Sequence, residues 1–174
     1  MYKREDIKKK IGLPPAGFKG LVTLRSKKAV FKHSSKSKRP MIVLDCEIVA
    51  PTEVKGVDGL QYEITGTGVT YFFMLDNQGK NGLDHLVDVV MPKLGLTPEI
   101  DIEQPNTQQF EDIYFEAMVS TDENIMTRRD PDNPDEFIPV KDSKGQDVVM
   151  GTKVNAFSNE IHGLCDAPEG VGTY

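Results

Sequence analysis

The sequence runs to 174 residues with 38% hydrophobic content, enough for one domain with a buried core and tight for two. No stretch approaches the roughly 20 apolar residues that a membrane-spanning helix needs, so no membrane association is expected. A net charge of −6 argues against a polyanion partner only if it is spread evenly, and it is not: residues 1–40 carry 13 Lys/Arg against 2 Asp/Glu. A chain polarised in this way should turn its basic end toward phosphates or another acidic surface.

The first residues are charged without an apolar segment behind them, so no secretion signal is expected. Two cysteines, Cys46 and Cys165, make no disulfide framework. An intracellular protein is the expectation. Residues 1–19 combine Lys8-Lys9-Lys10 with Gly12, Pro14, Pro15 and Gly17, and read as a basic, flexible leader. A single domain is expected over 20–163 and a flexible tail over 164–174.

The first strand spans Leu21 to Lys32. Its alternation slips by one midway, at Lys27-Lys28, where a bulge would let one strand serve two packed surfaces. A Ser/Lys run, residues 32–39, follows and ends at Pro40, a residue suited to a strand start. The second strand, Met41–Ala50, is apolar at Ile42, Leu44, Cys46 and Ile48, so the even positions face a core and the odd ones are available. The third strand is expected over Tyr62–Leu75, with Gly66 and Gly68 leaving a shallow place or marking a bend.

Asn81 is expected to cap an amphipathic helix apolar at Leu83, Leu86, Val87, Val90, Met91 and Leu94, with Pro92 tightening its last turn and Gly95 ending it. A polar connection leads to a fourth strand, Ile113–Thr121, in which Phe115, Ala117 and Val119 oppose Tyr114, Glu116 and Met118. Arg128 and Arg129 open a long loop. Short strands from Phe137 to Ile161 complete the chain. A helix between the third and fourth strands of an antiparallel set is the arrangement of an OB-type barrel. The expected fold is therefore mainly β: a five-stranded antiparallel OB-type barrel with one helix and extended β-hairpin loops.

A single strand of nucleic acid is held by cations along its phosphates and by rings beneath its bases. Lys27, Lys28, Lys32, Lys36, Lys38 and Arg39 on the first hairpin are the candidate cations, and Arg128 and Arg129 should close the other side of a groove. Tyr71 and Phe73, on one parity of the third strand, are the candidate stacking rings, with Phe31 as a third and Phe72 assigned to the core. Asp45 and Glu47 lie on the available face of the second strand and would repel phosphate unless bases cross there or cations neutralise them.

The run Lys38-Arg39-Pro40-Met41-Ile42-Val43-Leu44-Asp45-Cys46-Glu47-Ile48-Val49 resembles the second-strand signature of phage-encoded OB-fold single-stranded DNA-binding proteins. Val69-Thr70-Tyr71-Phe72, the Leu-rich helix and Gln104-Pro105-Asn106-Thr107 are similar as well, and the likeness covers residues 20–160. It implies non-catalytic binding and protection of single-stranded DNA in replication or recombination, with proteins of those processes as partners and with self-association compatible with open sheet edges.

An enzyme reading starts from the same carboxylates. A hydrophobic strand followed by Asp45-x-Glu47 resembles the first metal-binding motif of DnaQ-type 3′–5′ exonucleases, where paired carboxylates hold divalent ions. Asp84, His162 and Asp166 depart from that family's spacing. A third reading is an assembly or interaction protein using its basic arm. No cofactor is expected, since no Walker-type or dinucleotide glycine loop occurs. No metal site is expected either: Asp130, Asp132, Asn133, Asp135 and Glu136 are interrupted by Pro131 and Pro134, and His162-x-x-Cys165 lacks a second ligand pair.

Overall fold

In a computed structural model, which describes residues 10–169, the chain is mainly β with one helix. Its strands are β1 (Lys10–Ile11), β2 (Lys19–His33), β3 (Pro40–Ala50), β4 (Glu53–Lys55), β5 (Gln61–Glu63), β6 (Gly68–Met74), β7 (Tyr114–Ile125), β8 (Thr127–Arg129), β9 (Phe137–Pro139), β10 (Val149–Asn155) and β11 (Ile161–Leu164). The principal sheet has the order β10-β7-β2-β3-β6, and β11 also pairs with β7. It does not close: β6 and β11 have no ladder between them, so the expected five-stranded barrel is replaced by an open sheet. Two small sheets, β1-β5-β4 and β8-β9, lie outside it. No helix among the described residues is long and apolar enough to cross a membrane.

β2 is the strand on which the sheet turns. It pairs with β7 from Lys19 to Arg25 and with β3 from Thr23 onward, so beyond Lys28 it pairs with β3 alone. The register slips between Ser26 and Lys28, which is the bulge that the broken alternation predicts. Backbone donors freed where β2 leaves β7 must find other acceptors. Ala29 N–H donates to Glu111 Oε1 at 3.2 Å, and Ser26, fully buried, accepts the Ile113 N–H at 2.9 Å through its hydroxyl.

The strand expected over Tyr62–Leu75 is two strands. Gly66, at φ 86°, turns the chain between β5 and β6, and its N–H donates to Ile48 O. Of the leader expected over 1–19, residues 1–9 lie outside the described residues, whereas 10–18 are built into the fold. Lys10 and Ile11 pair with β5, Phe18 is buried, and Thr121 Oγ1 donates to Pro15 O at 2.8 Å. Of the expected tail, residues 170–174 lie outside the described residues, while Leu164 pairs with Phe115.

The helical segment 83–93 (α1) buries Leu86, Val90 and Met91, with Leu94 at its C-cap and Leu83 and Val87 packed at the margin, the face its periodicity gives. Its cap differs from expectation. Asn81 sits in the left-handed region at φ 56°, Gly82 is the N-cap, and the first donors go to Asp76 O and Asn77 Oδ1. Rather than tightening the end, Pro92 follows a widened π-turn over Leu86–Val90. A proline ring collides with the carbonyl four residues back, and one extra residue in the preceding turn relieves that. Gly95, at φ 74°, ends the helix: its N–H donates to Pro92 O and that of Leu96 to Met91 O.

The core lies between the inner face of the sheet and α1. Tyr71 and Phe73 stack along β6, Tyr71 meets Phe115 of β7, and Phe73 meets Phe110. Cys46 belongs to this core, where burial, and then Asp45, push its thiol up to about 12.

Candidate nucleic-acid interface

The outer face of β2, β3 and β6 consists of side chains aligned in rows across the three strands. Val30, Val43 and Phe72 form one row, since Val30 is opposite Val43 and Val43 is opposite Phe72. Phe72 is 57% exposed and Val30 38%, so the row is an apolar strip open to solvent. On one side lies the row Lys28, Asp45, Thr70; on the other lies Lys32, Met41, Met74. Strands about 4.8 Å apart make each row roughly 10 Å long. Beyond Lys28, Arg25, Glu47 and Gly68 form a fourth row, and a side chain at Gly68 would meet open space.

The two carboxylates on this face have partners. Glu47 pairs with Arg25 at 3.5 Å and Lys27 at 3.7 Å, and Arg25 also reaches Asp112 at 2.6 Å. The hydrogen bond from Arg25 to Asp112 is the main cause of its raised pKa. Asp45 accepts the Thr70 hydroxyl at 3.2 Å and lies opposite Lys28. Lys28, Lys32 and Lys38 make no ion pair with any described residue. Among the described residues no three His, Cys, Asp or Glu side chains gather as a metal would require, so Asp45 and Glu47 stand without Asp84, His162 or Asp166.

Several candidate residues are elsewhere than expected. Tyr71 and Phe73 are 0% and 2% exposed and belong to the core, while Phe72 is outside: the parity of β6 is the reverse of the one assigned. The Tyr71 hydroxyl is buried and makes no hydrogen bond with any described residue, and its pKa is raised chiefly by burial. Phe31 turns inward to pack on the core margin, with His33 edge-on at 5.4 Å. Arg39 is held by Asp76, to which its Nε donates at 2.9 and 3.1 Å, so it is not a free cation of the hairpin. Lys27 is tied to Glu47.

The hairpin tip and the long loop do meet. Lys36 Nζ lies 4.4 Å from the centre of the Phe137 ring, and the Arg129 guanidinium lies 5.3 Å from it. Arg129 and Phe137 are cross-strand partners in the β8-β9 hairpin, with Arg128 exposed beside them. Lys38, at φ 57°, occupies the turn that closes the β2–β3 hairpin.

Sequence reasoning missed Phe72, Val30, Val43 and Phe137. The signal for Phe72 was present: Val69, Tyr71, Phe73 and Leu75 form an unbroken apolar parity, whereas Phe72 shares its parity with Gly68 and Thr70. Comparison with protein-family models, curated proteins and solved structures finds no match.

Proposed function

We propose that this chain binds single-stranded DNA without acting on it chemically, with bases along the outer face of β2, β3 and β6 and phosphates against the flanking lysines. The observation that carries this reading is the row Val30–Val43–Phe72 with Lys28 on one side of it and Lys32 on the other. Every base has a π-face, so stacking on such a strip tolerates any sequence, at about 1–3 kcal/mol per base on an aromatic ring. The lysines contribute a salt-dependent hold on the backbone. Glu47 does not oppose this, because Arg25 and Lys27 offset its charge.

Connectivity supports an OB-type relationship. The order β7-β2-β3-β6, with α1 between β6 and β7 and β11 returning to β7, corresponds to such a barrel opened between β6 and β11. OB folds take oligonucleotides on the face of their second and third strands and on the loops at its two ends. Here those are β3 and β6, the β2–β3 tip, and the β8-β9 hairpin. The function is then protection of single strands in replication or recombination, in company with proteins of those processes. β10, an edge strand, is available for self-association.

Titrating labelled oligo-dT by fluorescence anisotropy at several salt concentrations tests the reading. Phe72→Ala should weaken binding by about 1–3 kcal/mol, some 5- to 150-fold, while Tyr71→Phe leaves affinity unchanged. No anisotropy change at low salt, or full affinity in Phe72→Ala, would overturn it. Deleting residues 1–9 separates a sheet-face binder, which keeps most of its affinity, from a basic arm acting alone, which loses nearly all.

A further inference from the structure

The β2–β3 and β8-β9 hairpins leave opposite ends of a strand pair. β2 and β7 are antiparallel, with Lys19 opposite Ser120 and Arg25 opposite Tyr114, so the tip beyond His33 and the hairpin beyond Ile125 depart in opposite directions. They nevertheless meet at one ring. Phe137 is 42% exposed and lies outside the core cluster, and among the described residues the cations Lys36 and Arg129 lie over its ring.

A cation over an exposed ring is held weakly, whereas the same ammonium or guanidinium makes a shorter, stronger, charge-assisted hydrogen bond to a phosphate oxygen. The ring, for its part, binds a nucleobase by stacking. All three groups therefore have a better partner in a single strand than in one another. Lys28, Lys32 and Lys36 recur at every fourth residue toward the tip, so a backbone following them ends at this contact.

We propose that Phe137 is a base-stacking residue, covered in the unbound protein by Lys36 and Arg129 and uncovered when phosphates of an entering strand take those two cations. This rests on the single-strand binding proposed above. The ligand is an unpaired nucleobase presented on a phosphodiester backbone, and phosphate engagement precedes stacking at this position. The contact thus works as a latch that a polyanion opens and a base then occupies.

The sequence has no tryptophan, so Phe137→Trp introduces a single indole as a reporter. Quenching and acrylamide access are read on this variant, and affinity on Phe137→Ala. Oligo-dT should quench the indole as it binds, whereas an abasic oligodeoxyribose phosphate of equal length should bind, by anisotropy, without quenching. Adding Lys36→Gln should make the indole of the unbound protein more accessible to acrylamide. Phe137→Ala in the otherwise unchanged chain should lose about 5- to 150-fold in oligo-dT affinity. Anisotropy that reports binding while the indole stays silent with oligo-dT would overturn this inference and leave the binding reading intact, as would full affinity in Phe137→Ala. Unchanged acrylamide access after Lys36→Gln would overturn the covering of the ring. No anisotropy change with any strand would overturn both.

Discussion

Arg39 and Asp76 join the tip of the β2–β3 hairpin to the segment that leads into α1, and Asp76 also accepts the Gln78 N–H. The Arg39 hydrogen bonds hold the Asp76 carboxyl below the usual carboxylate range and raise the guanidinium. The folded-state value of Asp76 is depressed, so the stability this pair contributes is complete above about pH 4 and is lost as pH falls through the folded value. Asp76→Asn should therefore flatten the acid side of the stability curve. Urea midpoints measured from pH 7 down to pH 3 should fall more steeply in wild type than in the variant; parallel curves would contradict the assignment. The same pair removes one cation from the set available to a ligand, so Arg39→Gln is expected to act on stability more than on affinity. Pairing between residues 37 positions apart leaves no mark on either local pattern, which is why Arg39 reads as a hairpin cation in the sequence.

At the scale of elements, the turn before α1 holds the most tightly enclosed of the described glycines. A Cβ on Gly82 would lie 2.3 Å from Asp76 O, a backbone atom that already accepts the Leu83 N–H. No rotamer relieves that clash. Gly82→Ala should cost about 1–3 kcal/mol, as overpacked positions do, and thermal or urea unfolding will measure it. Much at this scale was legible in the sequence. The inward set of β3, the apolar face of α1, the stop at Gly95 and the bulge at Lys27 all follow from side-chain periodicity, which the backbone geometry enforces locally. The failures have another origin. β6 has rings on both parities, and only Val69 and Leu75, which share the parity of Tyr71 and Phe73, mark that set as the inward one. Phe137 lies among charges on a loop, with no period to report its neighbours. The gap between β6 and β11 depends on how far a sheet curls, which is a property of all its strands together.

For the whole molecule the decisive quantity is where charge resides. Ion pairs occupy Lys19, Arg25, Lys27 and Arg39, so the polarised sequence presents fewer free cations than it contains. Lys28, Lys32, Lys36, Lys38, Arg128 and Arg129 remain as the set available to the proposed strand. About five phosphate contacts to single-stranded DNA give a slope near −3.5 for log affinity against log salt, or about 100-fold weaker binding between 50 and 200 mM. Lys28→Gln and Lys32→Gln should each reduce that slope by about 0.7. A slope insensitive to both would place the strand on some other surface.

The unclosed sheet has one more consequence, concerning how firmly its strands are held sideways. β3 has β2 and β6 as neighbours, whereas β6 has only β3, so deuterium should enter the amides of β6 well before those of β3. Phe72 thus rides on a strand braced along one margin alone. An occupant lying across it would act as the missing brace, and slowed isotope uptake in β6 would register its arrival at the ring.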